Sequence, residues 1–414
     1  MEQFHIKELS NGLTLLGLRM DHVSSAAMTL VVPAGASRDP EGSEGAAAVA
    51  CEWLFRGAGG RDTRQFNDAL DCLGCQHSET VNGEHLHFST VQIGRNLGEV
   101  LRIYADVLRR PALQEATFGP CKGLTLQDLA SLDDEPAHKC NVMLREKFYP
   151  HPLGRCVYGQ AESLRAMGPG AVRGHLRRCF GPWEAILAVA GNIDWSAVCD
   201  LAEGLLGDWS ADPSPRPGTR GPPGGVTHVR KESAQAHIAL AHRSVPVHDE
   251  RYYAALVVET VLSGGMGGRL YTEVREKRGL AYHVATRYHS LRDHAGLFTY
   301  AGTRPDQAQQ TFDVTVHELR RLGEGVAEDE LARARTQLKS AIVMQGESTL
   351  SRSSSLASDW YHLRRLRSLK ELSDAIDKVA ADDVMDYLRA FPAEDFTVLI
   401  IGPQPLDVGA IAEQ

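Results

Sequence analysis

Along residues 5–20, HIKELSNGLTLLGLRM, apolar and polar positions alternate on both sides of Asn11-Gly12. This predicts two strands joined by a type I′ hairpin. MTLVVPAG (28–35) follows as a buried strand. From Gly45 to Phe55 the apolar residues recur at helical spacing, and Thr63 to Leu73 reads as a second helix capped by Asp62 or Thr63. HSETVNGEHLHFSTVQ (77–92) alternates as a strand pair, and NLGEVLRIYADVLRRP reads as an amphipathic helix stopped by Pro111. A long helical region runs from about Gln114 to Phe148. HPLGRCVYGQAESLRAM is a loop leading to a helix, and AILAVAGNID closes the first half as a strand.

Between about Trp209 and Gly225 the chain becomes DWSADPSPRPGTRGPPGG, too rich in proline and glycine to build a core. The same order of elements then returns. AHIALAHRSVP answers AAMTLVVPAGA, and YYAALVVETVLSGG answers GAAAVACEWLFRGAGG. AGLFTYAGTRPDQAQQTFDVTVHELRRL answers GEHLHFSTVQIGRNLGEVLRIYADVLRR, and DFTVLIIGP answers AILAVAGNI. The expectation is an α+β protein of two homologous domains, each an antiparallel-rich sheet with helices packed on one face. The boundaries expected are 1–209, a linker at 210–226, and 227–414.

The length of 414 residues also calls for at least two domains. A hydrophobic share of 43% with 23% charged residues is ordinary for a globular protein, and the net charge of −9 argues against a nucleic-acid partner. No run of 18 apolar residues is present and MEQFHIKELSNG lacks the pattern of a secretory signal, so no membrane partner and a cytoplasmic location are expected. The eight cysteines all lie in the first half without zinc-ribbon spacing, which fits packed, reduced thiols.

The densest chemistry is in SGGMGGRLYTEVREKRGLAYHV, residues 263–284. Gly264, Gly265, Gly267 and Gly268 allow a tight turn, Arg269 to Lys277 has good helix formers, and Gly279 can end that helix. Arg275 on the helix and Tyr282 on the strand after it could present a guanidinium and a phenol to one ligand. An ordinary solvated Arg beside a half-buried Tyr is the structural alternative. Glu273-Val274-Arg275-Glu276-Lys277-Arg278-Gly279-Leu280-Ala281-Tyr282, after its glycine-rich turn, resembles the C-terminal-domain signature of the pitrilysin/insulinase-type zinc peptidases, which include the processing peptidases. The internal duplication extends that resemblance over nearly the whole chain. It implies that Arg275 and Tyr282 hold substrate peptide near a zinc carried by another domain, in a catalytic role at the oxyanion.

The first half departs from the same pattern. Active members of that family carry H-x-x-E-H on the first helix and a Glu ligand from a later one. Counted back from Leu54-Phe55-Arg56-Gly57, the motif falls on Ala48-Val49-Ala50-Cys51-Glu52, so Ala48 and Glu52 replace the histidines and Cys51 replaces the base. Counted from Asp133-Asp134-Glu135-Pro136, the third-ligand position falls on Asp128. No metal is expected in this chain. Ser78, Glu79, Thr80 and Val81 occupy the place of the edge strand on which family members lay extended substrate by main-chain pairing, although the usual side chains are not kept.

The resemblance therefore implies a non-catalytic subunit of a heterodimeric zinc endopeptidase, inactive alone, with a related zinc-bearing peptidase subunit and a peptide substrate as its partners. Two other readings remain open at this point. One is a zinc-free peptide-binding or scaffold protein, as a homodimer. The other is an enzyme with a relocated metal site around His85 and His87, with His77, Glu79 and Glu84 nearby.

Overall fold

The computed structural model describes residues 2–409. In chain order the first half contains β1 (Phe4–Glu8), β2 (Thr14–Arg19), β3 (Ser25–Val32), α1 (Ala46–Leu54), α2 (Thr63–Cys72), β4 (Gln76–Val81), β5 (Leu86–Ile93), α3 (Leu97–Arg109), α4 (Glu115–Ser131), α5 (Pro136–Phe148), α6 (Ala161–Ala166), α7 (Pro169–Cys179), β6 (Ile186–Gly191) and α8 (Trp195–Leu206). The second half contains β7 (Val226–Arg230), β8 (Ala236–Ser244), α9 (Tyr252–Ser263), β9 (Ala281–Ser290), β10 (Ala295–Thr303), α10 (Ala308–Arg321), α11 (Glu328–Gly346), α12 (Thr349–Leu363), α13 (Leu369–Lys378), α14 (Ala381–Ala390) and β11 (Thr397–Gly402).

These elements form two compact units, and neither is one continuous stretch of chain. The first gathers Met1–Ser131, Arg155–Thr219 and Gln345–Arg367; the second gathers Leu132–Gly154, Arg220–Met344 and Ser368–Gln414. Most of each half stays together, with the change of unit at Thr219/Arg220 inside the proline-rich stretch. However, α5 of the first half belongs to the second unit, and α12 of the second half belongs to the first.

In the first unit the strands run in the order β1-β2-β6-β3-β5-β4, so β4 is an edge. One face of this sheet packs under α1 and α3, with Trp53, Phe66, Phe88 and Tyr104 fully buried among them. The opposite face is covered by α12, whose Leu356 and Ala357 sit on Leu16, Leu18, Val31, Ile186 and Ala188. Thr29 Oγ1 and Ser353 Oγ share a buried hydrogen bond of 2.8 Å on that face. The second unit repeats the plan in the order β7-β11-β8-β10-β9. Here α9 and α10 cover one face, and α5 covers the other through Cys140 and Leu144 against Ala239, Ala241, Phe298 and Leu399. Each sheet thus carries helices on both faces rather than on the one expected, which explains β3, β6, β8 and β11 as near-continuous apolar strands.

Two local expectations are revised. The β1–β2 turn is not type I′: Gly12 alone has positive φ (89°), its N–H donates to Leu9 O, and Leu9 N–H donates to Leu13 O. This is a type I turn closed by a glycine bulge, and it suits the longer Leu9–Leu13 connection. The helical region 114–148 breaks at Leu132–Glu135, where the chain passes from one unit to the other.

Candidate functional site

The stretch 269–279 is helical in an unusual way. Lys277 N–H donates to Thr272 O, five residues back, and Tyr271–Glu276 forms a wide π-helical turn, whose exit is closed by Leu280 N–H donating to Val274 O. Gly265 supplies the positive φ (97°) of the preceding loop, and Gly268 lies where a Cβ would come within 2.7 Å of Leu262 O. The inner side of the turn is firmly held. Val274 is fully buried, and buried Arg269 donates from Nε and Nη2 to the two carboxylate oxygens of Glu330, each at 2.7 Å. Glu273 accepts from Lys277 Nζ at 2.7 Å and Arg278 Nη1 at 2.6 Å, and these two cations hold its carboxyl down at about 2.

Four of the charged side chains in this stretch therefore serve its own architecture. Arg275 does not. Its guanidinium carbon lies 5.1 Å from the Tyr271 ring and 5.3 Å from the Tyr282 ring, a cation held between two aromatic faces. Arg275 O accepts from Gly279 N–H at 3.0 Å, but among the described residues the Arg275 guanidinium makes no hydrogen bond or ion pair, and the Tyr282 hydroxyl has no partner. Tyr282, at the start of β9, is 80% exposed, which removes the reading of a half-buried packing residue. The pair presents several N–H donors and one O–H donor side by side, suited to a carbonyl oxygen or an anionic oxygen of a ligand. Tyr271, the second ring, was not anticipated; its signal was the four-residue spacing to Arg275.

Helix α1 presents a different picture. The Asp39 carboxylate accepts from Gly45 and Ala47 N–H at 2.7 and 2.8 Å and satisfies the start of the helix. Ala48 offers no donor atom. Cys51 is only 6% exposed and part of the core, where burial pushes its thiol well above the usual range. Glu52 turns to Arg56, 3.0 Å away, and Asp128 stands exposed on α4. This donor set does not suit a zinc ion: one position lacks a ligand atom, one thiol is locked in the core, and one carboxylate is tied to a guanidinium. Among the described residues, no three His, Cys, Asp or Glu converge so as to hold a metal.

The histidines around β5 do not converge either. The register pairs His77 with Thr90 and Thr80 with His87, so His77 and Glu79 stand on the face opposite His87. His77 Nδ1 and Tyr104 Oη both bond Glu79 Oε1, at 2.8 and 2.9 Å. His85 packs edge-on against Tyr361, and burial with nearby Arg38 pushes its pKa down to about 3. Along β4, the side chains of Ser78 and Thr80 are exposed, Glu79 is turned toward α3, and Val81 packs against the core. β4 pairs with β5 alone, so its outer edge is unpaired among the described strands.

Two sheet-and-helix units of one plan, with an unbonded Arg–Tyr pair on one and a metal-type helix stripped of ligands on the other, define a peptidase-like two-domain scaffold. The chain belongs to the insulinase (M16) peptidase family: residues 18–161 match the profile described as "Insulinase (Peptidase family M16)" and residues 169–338 that described as "Peptidase M16 inactive domain". It is 26% identical over 412 residues to an uncharacterized zinc protease of Rickettsia felis, covering 98% of this chain and 99% of that one. A Streptomyces coelicolor protein of the same description is 28% identical over 407 residues, covering 95% and 88%. The fold is that of a Pseudomonas fluorescens structure described as a peptidase M16 inactive domain, with TM-score 0.89 and 18% identity over 98% of this chain and 99% of that one. A Helicobacter pylori protease structure has TM-score 0.88 and 16% identity over 98% and 100%. No helix among the described residues is long and apolar enough to cross a membrane.

Proposed function

We propose that this chain is the non-catalytic subunit of a two-chain zinc endopeptidase acting in the cytoplasm, and that Arg275 and Tyr282 are its contribution to the reaction. The observation that carries this reading is the contrast within the chain: the Arg275 guanidinium is held between two rings with no bond of its own and Tyr282 is 80% exposed, while the α1 positions hold Ala48, buried Cys51 and ion-paired Glu52. A related subunit would supply the metal and the hydrolytic chemistry. The part of this chain is to donate hydrogen bonds to a main-chain oxygen of the peptide, from a guanidinium fixed by its rings and from a phenol. The free edge of β4, Ser78–Val81, would take extended peptide as an added strand.

A zinc-free peptide-binding or scaffold protein, built as a homodimer, rests on the same unpaired edge and differs in outcome. Co-purification with a related zinc-bearing chain, followed by assay of the complex and of each chain alone, separates the two. Cleavage that requires both chains supports the subunit. Peptide binding by this chain alone, with no active complex, supports the scaffold.

A further inference from the structure

The outer end of β4 borders a cavity that contributes to neither the Arg–Tyr pair nor the α1 helix. It has a volume of about 210 Å³ and is lined by Gln76, His77, Ser78, Ser89, Thr90, Val91 and Leu350. The register explains its construction. Gln76 faces Val91 and Ser78 faces Ser89, while Ser89 is also opposite Thr29, whose hydroxyl meets Ser353 of α12. These side chains therefore stand on the α12 face of the sheet, where Leu350, in the first turn of α12, forms one wall. By the two-residue alternation, His77 and Thr90 turn their side chains to the other face and give main chain to the floor.

We propose that this cavity is a specificity pocket for one aromatic side chain, tyrosine above all, of a peptide paired on β4. The inference rests on β4 acting as the docking edge. In strand addition, main-chain pairing gives affinity and pockets for alternate side chains give selectivity. A strand laid on β4 sends every second side chain to the α12 face, where this cavity is. Its size is below the roughly 300–1,000 Å³ of small-molecule sites and matches one large side chain. The one ionisable group in the lining, His77, is already paired with Glu79, so a charged side chain would find no free counter-ion there. Val91 and Leu350 offer apolar walls to a ring. Ser78, Ser89 and Gln76 offer oxygens to a phenol, and Ser89 Oγ already gives its proton to Ser78 O at 3.4 Å, which leaves its lone pairs to accept.

The test uses the purified full-length chain and a fluorescein-labelled host peptide, Gly-Thr-Thr-Xaa-Thr-Thr-Gly, with Xaa as Tyr, Phe, Leu, Ala, Glu or Lys, titrated by anisotropy. The Tyr peptide should bind about tenfold or more tightly than the Ala peptide. Phe should fall within about fivefold of Tyr for loss of one hydrogen bond, and Glu and Lys should bind no better than Ala. Leu350→Ala and Ser89→Phe should each remove most of the Tyr preference and leave the Ala peptide's affinity unchanged. If Ser89→Phe does not fold, Leu350→Ala decides alone. Two further Tyr peptides, N-methylated at alternate residues, report on the edge: one of them should lose binding. Equal affinity for all six peptides, or no response to Leu350→Ala, overturns the pocket while leaving edge pairing in place. No binding by any peptide, or full binding by both N-methylated ones, overturns the docking edge and the pocket with it.

Discussion

The two units share a plan, yet the stretch singled out in each is used in an opposite way. In the first unit, α1 has become structure: Cys51 fills core space, Glu52 bonds Arg56, and Ala48 carries no polar atom. In the second, the π-helical turn uses Arg269, Glu273, Lys277 and Arg278 to hold itself and leaves the side chains of Arg275 and Tyr282 exposed and unbonded. An exposed tyrosine beside an arginine without an ion pair contributes little to folding. The proposed function uses this arrangement: two donor side chains, not hydrogen-bonded within the turn, carried by a turn that other residues brace.

The largest expected effect tests that contrast directly. In an active complex, Tyr282→Phe or Arg275→Ala should lower kcat about a hundredfold or more, near 3 kcal/mol, with zinc content and assembly intact. Steady-state kinetics on the complex checks this; an effect confined to KM would transfer the pair to simple binding. Next comes acidification. His242 in the second unit is buried against Phe396, and burial lowers its pKa to about 4. The unfolded chain takes up that proton near 6.5 and the native state resists until about 4. This contribution to stability is therefore complete above 6.5 and lost as pH falls, approaching about 3 kcal/mol at pH 4. His242→Gln should flatten the wild-type pH dependence by that amount in denaturant titrations. In the first unit, buried His175 is likewise lowered to about 4, but Asp39, 3.6 Å away, is raised to about 7 by burial and takes up a proton over the same range with the opposite sign.

A smaller effect is expected at α1. Cys51→Ser puts a hydroxyl into the core and should cost about 1–2 kcal/mol of stability, read from thermal or urea melts. The smallest is a near absence of change: Tyr282→Phe and Arg275→Ala should stay within about 0.5 kcal/mol of wild type in the same melts. If Cys51→Ser proves neutral and Tyr282→Phe destabilising, the roles assigned to the two units exchange.

The α+β class and the duplication were legible because each leaves a local trace in alternation, helical spacing or a repeated order of elements; Arg275 and Tyr282 were singled out by a resemblance, since their residue types alone suit an ordinary surface pair equally well. Three features were not legible. The exchange of α5 and α12 concerns which sheet a helix packs on, and an amphipathic pattern does not name its partner. The π-helical turn depends on hydrogen bonds reaching five residues back instead of four, while the composition of 269–277 suits an ordinary helix. Glu79 looked like a residue on an open edge, but Tyr104, twenty-five residues on, draws its carboxylate toward α3. The Asn11-Gly12 turn misled for a related reason: the dipeptide marks a turn, but the strand register decides its length.

The exchanged helices also bear on how the protein is made. The first unit's sheet is complete once β6 ends at Gly191, but the helix that covers its second face begins only at Thr349. At roughly 5–20 residues per second, a ribosome needs on the order of ten seconds to synthesise the chain between them. Throughout that interval Leu16, Leu18, Val31, Ile186 and Ala188 form an uncovered apolar surface on the nascent chain. The order of synthesis thus makes the end of translation, rather than the end of the first half, the moment at which the N-terminal unit can close.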